Sequence, residues 1–335
     1  MKITRSIAAM LAFASATPVL ADEVNVYSYR QPELIQPLLD AFTRDTGINV
    51  NVAFLNKGMI ERLLAEGKRS PADIILTTDI SRLAKAVEAE VTQPVHSDIL
   101  HARIPAAFRD PDDQWFGLTT RARIVYASRE RVGPGEVTTY EDLADEKWRG
   151  RICTRSGSHA YMVALTSAVI YHLGEDGAKT WLEGVKANLA RKPQGNDRAQ
   201  VKAIWAGECD ISLGNTYYMG AMLADPDQVA WANSIRLEFP TFENGGTHVN
   251  VSGAAMTKAA PNHDSALKFL EFLASDEAQE IYSSVVYEYP VASDVPISPA
   301  VAAWGSFTPD DVNLMDLAAL RADALRITQE VDFDG

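Results

Sequence analysis

Three tyrosines stand where strand-like runs hand over to helices. Tyr161 follows GRICTRS (150–156), and the adjacent pair Tyr217 and Tyr218 follows CDISLGN (209–215). Arg30 and Gln31 come directly after a first run, VNVYSY (24–29), and Arg121 lies within FGLTTRARIVYAS (116–128). A phenol is a poor donor to most divalent ions, because a proton with a pKa near 10 must first leave. A hard trivalent cation prefers anionic oxygen, and three phenolates would cancel the charge of Fe3+. Helix N-termini behind the tyrosines would favour both phenolate and a small bound anion. Neighbouring helical residues point about 100° apart, so Tyr217 and Tyr218 are expected to share one ion only at an irregular first turn. Ser158 and Asn215 are the expected caps of the two helices. The plainer reading of a tyrosine pair at a strand end is amphipathic packing, and that of isolated arginines is surface ion pairing.

Other chemistry is sparse. His159 lies close to Tyr161, but the histidines form no H-x-x-x-H pair. There is no G-x-S-x-G element, P-loop or CxxC. Glu243 and Glu288 are carboxylates near expected cleft elements with nothing to pair them, so no catalytic residue is assigned and an enzyme is not expected.

Strand and helix patterns alternate along the chain, as in an α/β protein with a mainly parallel sheet. Strands are expected at 24–29, 49–54, 72–78, 116–128, 150–156, 209–215 and 244–256. Helices are expected at 32–47, 58–68, 159–173, around Trp181, at 197–208 and at 265–286. Two extended connections, near 120 and 248, flank one α/β block, the pattern of two lobes joined by crossing strands. Ligands in such sheets sit beyond the carboxyl ends of the strands, here in a cleft between lobes that closes by a hinge motion. The expected division is 22–120 with 249–300 as the N-terminal lobe, and 121–248 with 301–335 as the C-terminal lobe.

The first 21 residues carry Lys2 and Arg5, then an apolar stretch from Ile7 to Phe13, then a small-residue end at Ala21. This is the pattern of a secretory signal peptide. No later segment offers the roughly 18 uninterrupted apolar residues of a membrane helix. The whole chain has a formal charge of −14, deeper by two without the signal. Such an acidic balance disfavours nucleic acid and anionic membranes. The two cysteines, Cys153 and Cys209, each precede a tyrosine of interest by eight residues. In an oxidising compartment they are expected to form one disulfide, aligning two strand ends if the strands are neighbours.

With these residues in view, the chain resembles the periplasmic ferric-ion-binding proteins of bacterial iron ABC transporters. The resemblance spans essentially the whole mature chain. It rests on VNVYSYRQPELIQPLLDAF at the start, TTRARIVY (119–126), SGSHAY (156–161), GNTYYMG (214–220) and SDEAQEIYSSVVYEYPV (275–291). It implies a transferrin-like, two-lobed periplasmic-binding-protein fold that closes on Fe3+ and delivers it to an inner-membrane permease. It also implies Tyr161, Tyr217 and Tyr218 as metal ligands, and Arg30 and Arg121 as holders of a synergistic anion, commonly carbonate. Several relatives place a histidine and a tyrosine after the first strand, where this chain has Gln31 and Pro32. The resemblance therefore points to a site with all three tyrosines from the second lobe and Gln31 as an anion or water contact. A monomeric protein is expected. The rival is a binding protein of the same architecture for a polyamine, thiamine or a phosphorylated sugar.

Overall fold

The structure, a computed structural model, describes residues 22–30, 32–55, 57–292 and 294–335. The expected signal peptide and Gln31 lie outside the described residues. The strands are β1 (Glu23–Ser28), β2 (Asn49–Phe54), β3 (Ile74–Thr77), β4 (Phe116–Ser128), β5 (Ile152–Cys153), β6 (Ile211–Asn215), β7 (Ile235–Glu238), β8 (Val249–Met256) and β9 (Tyr289–Pro290). They follow the path β2-β1-β3-β8-β4-β6-β5, with β7 and β9 also paired to β4. β1 is parallel to β2 and β3, and β5 is parallel to β6, whereas every partner of β4 runs against it.

β4 joins the two lobes. Its residues from Phe116 to Ala122 pair with β8, and those from Arg123 to Ala127 pair with β6. All thirteen of its residues are buried, which is why the segment mixes apolar residues with Thr119, Thr120, Arg121 and Arg123 instead of alternating in and out. Among the polar members, Thr119 donates to Glu288, Arg121 to Ser252, and Arg123 to Asp197 and Asn215, all of them buried partners. β8, the second expected crossing strand, lies beside it and is likewise buried throughout.

Around the sheet the helices bury one face each. In the Pro32–Thr46 helix, Ile35, Leu38, Leu39 and Phe42 recur at three- and four-residue spacing and are all buried. Gly47 ends it with a positive φ of 71°, a conformation that glycine adopts without a Cβ clash. The long Ala160–Ala187 helix breaks its dihedrals at Gly174, where the sequence reading separates 159–173 from the segment around Trp181. The expected helix at 265–286 is three pieces: His263–Leu273, Asp276–Ile281 capped by Ser275, and a π turn over Tyr282–Val286. Ser275 accepts the amide of Ala278 and so starts a new helix inside the apolar pattern. The expected strand at 150–156 contracts to Ile152–Cys153, because beyond it the chain turns to meet the Ala160 helix.

Cys153 and Cys209 are joined in a disulfide with their Cα atoms 5.8 Å apart. The bridge ties the end of β5 to the start of β6, which pair in parallel with Cys153 opposite Ser212. Closing a segment with 56 residues of separation is worth about 4 kcal/mol by loop entropy, and 2–4 kcal/mol is typical. The double variant Cys153→Ser, Cys209→Ser is therefore expected to lose about 2–4 kcal/mol in denaturant unfolding while its native circular dichroism is unchanged.

Candidate metal centre

Tyr161 sits in the first turn of the Ala160–Ala187 helix, and the loop before it is held from two sides. The N-cap is His159, whose Nδ1 accepts the amide of Tyr161 at 3.2 Å. Ser158, the expected cap, instead turns its hydroxyl to Asp334 at 3.2 Å. Asp334 also accepts from the Ser156 hydroxyl at 2.6 Å and the Gly157 amide at 2.7 Å. A Cβ on Gly157 would stand 2.7 Å from the Phe333 ring and 2.8 Å from Thr328, so only glycine lets the turn approach this closely. Burial, and then the charge of Arg155, push the His159 imidazole down to about 4, which leaves its nitrogen free to accept.

Tyr217 and Tyr218 open the Tyr217–Leu223 helix directly after β6. Asn215 does not cap it. It is the last residue of β6, and its Oδ1 is taken by Arg123 Nη1 at 3.2 Å. Thr216 stands at the N-cap with helical dihedrals (φ −53°, ψ −47°) and no side-chain cap bond, so the expected irregular turn is absent. The strand end is fixed from beneath: Tyr126 donates to the Asn215 carbonyl at 2.6 Å, and its ring lies where any Cβ on Gly214 would be. The two phenols nevertheless stay together, with ring centroids 4.3 Å apart and planes tilted by 37°. The hydroxyls of Tyr217 and Tyr161 are 3.0 Å apart. Three tyrosines separated by 56 residues of sequence thus converge, each half-buried.

Burial pushes the Tyr217 phenol well above its ordinary value, and the neighbouring Tyr161 and Tyr218 push it further, while Arg121 opposes. Burial and Tyr161 push Tyr218 up to about 12, opposed by Arg155. In the empty site these phenols are neutral at physiological pH.

Two buried clusters, each with two arginines to one carboxylate, flank the phenols. In the first, Arg30 Nη2 lies 2.9 Å from Glu288, and Arg30 and Arg121 both donate to the Ser252 hydroxyl, Arg121 at 3.0 Å. Ser252 and Thr119 in turn donate to Glu288. Burial works against ionising Glu288, yet Arg30 and Arg121 outweigh it and hold the carboxyl below its usual range. In the second, Asp197, wholly buried, is shared by Arg123 at 2.7 Å and Arg155. Arg121, Arg123, Tyr161, Asn215, His248 and Asn250 line a small cavity between the clusters.

The structure therefore brings Tyr161, Tyr217, Tyr218, Arg30 and Arg121 to one region. Glu288, read from the sequence as an unpaired carboxylate, is the counter-ion of Arg30; Glu243 is exposed in a turn. Arg123, Arg155 and Asp197 were not singled out. The two-residue spacing of Arg121 and Arg123 in TTRARI, which puts them on one face of a strand, was the available signal. Among the described residues no group of three or more His, Cys, Asp or Glu side chains is placed to hold a metal, and no helix is long and apolar enough to cross a membrane.

A family model described as bacterial extracellular solute-binding protein matches residues 69–308. The chain belongs to this family. The solute-binding protein is 44% identical over 317 residues to iron uptake protein A1 of Synechocystis, covering 94% of this chain and 88% of that one. Its fold matches the ferric iron-binding protein A of Mannheimia haemolytica in an open conformation, with a TM-score of 0.91 at 49% identity over 94% of this chain and 100% of the other. It also matches a Trichodesmium protein in complex with iron and citrate, with a TM-score of 0.89 at 42% identity over 93% and 99% of the chains.

Because Asp334 receives three donors from the turn before Tyr161, Asp334→Ala is expected to loosen that turn selectively. Amide hydrogen exchange at Gly157–Tyr161 should accelerate while the cores of β1 and β3 keep their protection, with a global loss of only about 1–3 kcal/mol.

Proposed function

We propose that this solute-binding protein captures Fe3+ through the phenolates of Tyr161, Tyr217 and Tyr218, with an exogenous anion completing the shell, and hands the ion to an inner-membrane permease. The observation that carries the reading is the convergence of the three phenols, with the Tyr161 and Tyr217 hydroxyls 3.0 Å apart, beside two arginine-rich buried clusters. Three phenolates neutralise Fe3+, and phenolate oxygen is the donor a hard trivalent ion prefers. Each cluster keeps one uncompensated positive charge, so the surroundings favour a further anion. Carbonate is the anion we assign, with Arg30 and Arg121 as its contacts and Gln31 beside Arg30 as a further anion or water contact. The iron–citrate complex of the Trichodesmium relative supports an exogenous oxygen anion as a class.

The rest of the organisation follows from this role. Residues 1–21 act as an export signal, and the protein works in the periplasm as a monomer without catalytic activity. The lobes are 22–120 with 249–300, and 121–248 with 301–335. The Leu314–Ala319 helix packs against both the Ile80–Glu88 and Ala160–Ala187 helices, so it lies across the two.

A visible absorption titration of the iron-stripped protein with a ferric chelate in bicarbonate buffer tests the reading. A phenolate-to-iron charge-transfer band saturating at one iron per chain is expected; a colourless end point would favour an organic solute. Tyr218→Phe keeps the ring and removes the donor. It should weaken ferric binding by more than the roughly 10–100-fold that loss of an outer partner of a metal ligand costs, with unchanged folding.

The proton balance gives a second test. The Tyr217 and Tyr218 phenols are neutral in the empty site, their values being raised, so iron binding must expel their protons. Affinity therefore falls as pH falls, by about tenfold per pH unit for each proton displaced. A pH-stat should record one proton for each phenol that becomes a ligand, and one more where bicarbonate is bound as carbonate, after correction for the chelate; release of none would exclude phenolate ligation.

A further inference from the structure

The Arg123–Asp197–Arg155 cluster is an odd piece of scaffold. Asp197 is wholly buried, Arg123 and Arg155 are nearly so, and the Nε atoms of both arginines are buried without a hydrogen-bond partner. Buried ion triads seldom stabilise a fold more than apolar residues of similar volume would, so packing alone does not account for this one. The two arginines also differ in what they touch. Arg123 is tied into the frame, donating to Asp197 and to Asn215 and lying against the sulfur of Met162. Arg155 has Asp197 as its side-chain partner, and its guanidinium carbon stands 5.0 Å from the centroid of the Tyr161 ring, against 6.0 Å for Arg123. The edge-on contact of His159, at 4.7 Å and 76°, holds the same ring from another side.

We propose that Arg155 is a positioning residue for the Tyr161 ligand: clamped by Asp197, it fixes the ring toward Tyr217 and lays a positive charge against the π face. This assignment rests on the ferric reading above. A cation on the face of a ring attracts a phenolate more strongly than a phenol, because the ring then carries net negative charge as well as its quadrupole. The attraction is thus greater in the loaded state than in the empty one, which is the condition for raising affinity and not merely stability. Asp197 does not cancel the effect, since one carboxylate serves two guanidinium groups. The cluster also explains why Asp197 stands at the first position of the Asp197–Trp205 helix, with Asn196 as its cap: the helix N-terminus holds the carboxylate in place for both arginines.

The test uses the full mature protein and four variants: Arg155→Met, Arg155→Lys, Tyr161→Phe, and Arg155→Met combined with Tyr161→Phe. Each is titrated with ferric nitrilotriacetate in bicarbonate buffer, recording the charge-transfer band and the affinity by chelator competition. A nearby cation lowers the energy of the phenolate donor orbital, so its loss in Arg155→Met should move the band to longer wavelength and weaken binding by about tenfold or more. Arg155→Lys, which keeps a charge but not the planar fork, should recover part of both changes. In the Tyr161→Phe background the Arg155→Met change should cost less than about twofold further, because the partner through which it acts is gone.

An Arg155→Met protein with the wild-type band and affinity would overturn the proposal. So would an equal loss in both backgrounds, which would mark Arg155 as a scaffold residue only. If Arg155→Met fails to fold, the Lys variant decides alone: a wild-type band position with full loss of affinity would count against the assignment, and partial recovery of both for it. A wild-type chain that develops no band with ferric nitrilotriacetate would remove the ferric reading and this assignment with it, a result distinct from any difference among variants.

Discussion

Everything at this site follows from the difficulty of keeping negative charge on oxygens that are half-buried and nearly touching. Two phenolates 3.0 Å apart would repel by about 5 kcal/mol at an effective dielectric constant of about 20. Burial adds to this cost for Tyr217 and Tyr218, and in the empty protein the Tyr161 and Tyr217 hydroxyls share a hydrogen bond instead. Only a compact, highly charged cation placed among the oxygens turns this repulsion into attraction.

The scaffold is arranged to hold that crowding in place. The Tyr217–Leu223 helix starts at once after β6, and Tyr126 props the strand end from below. The Tyr161 turn is pinned to Asp334 and to the Phe333 ring, while the disulfide fixes the neighbouring ends of β5 and β6. These contacts come from segments far apart in sequence, and apart from the disulfide each acts on a residue two to five positions before one of the three tyrosines. The Tyr287 ring lies over Gly220 in the same helix as Tyr217 and Tyr218, so a segment next to Glu288 and β9 reaches across to the phenol-bearing element. The cleft is therefore touched from both sides.

Much of this was legible in the residues. The alternation of strand and helix patterns, the full length of β4 and the pairing of Cys153 with Cys209 follow from local composition and from compartment chemistry, which operate within a short window. The tyrosines stood out because phenols at strand ends are unusual chemistry, not because their convergence could be read. What escaped were the partners fixed by tertiary structure. Asn215 and Ser158 have the side chains of helix caps, but Arg123 and Asp334 claim them. Glu288 looked unpaired because Arg30 is 258 residues away in sequence. Asp197 lies in an ordinary helix-start sequence, and nothing local reveals that two arginines converge on it. The break at Ser275 was hidden inside an apolar pattern that remains periodic on either side.

Arg121 and Arg123 occupy alternate positions on β4, at the point where the strand leaves one sheet for the other, and each serves a different buried cluster. Two residues of extended chain span roughly 7 Å whatever the surrounding lobes do. Covalent geometry thus sets the separation of their Cα atoms, whereas the guanidinium ends are placed by Ser252 for one and by Asp197 for the other. A motion of the lobes can therefore redirect the charged ends, but it leaves both arginines rooted two residues apart on the strand that the lobes share.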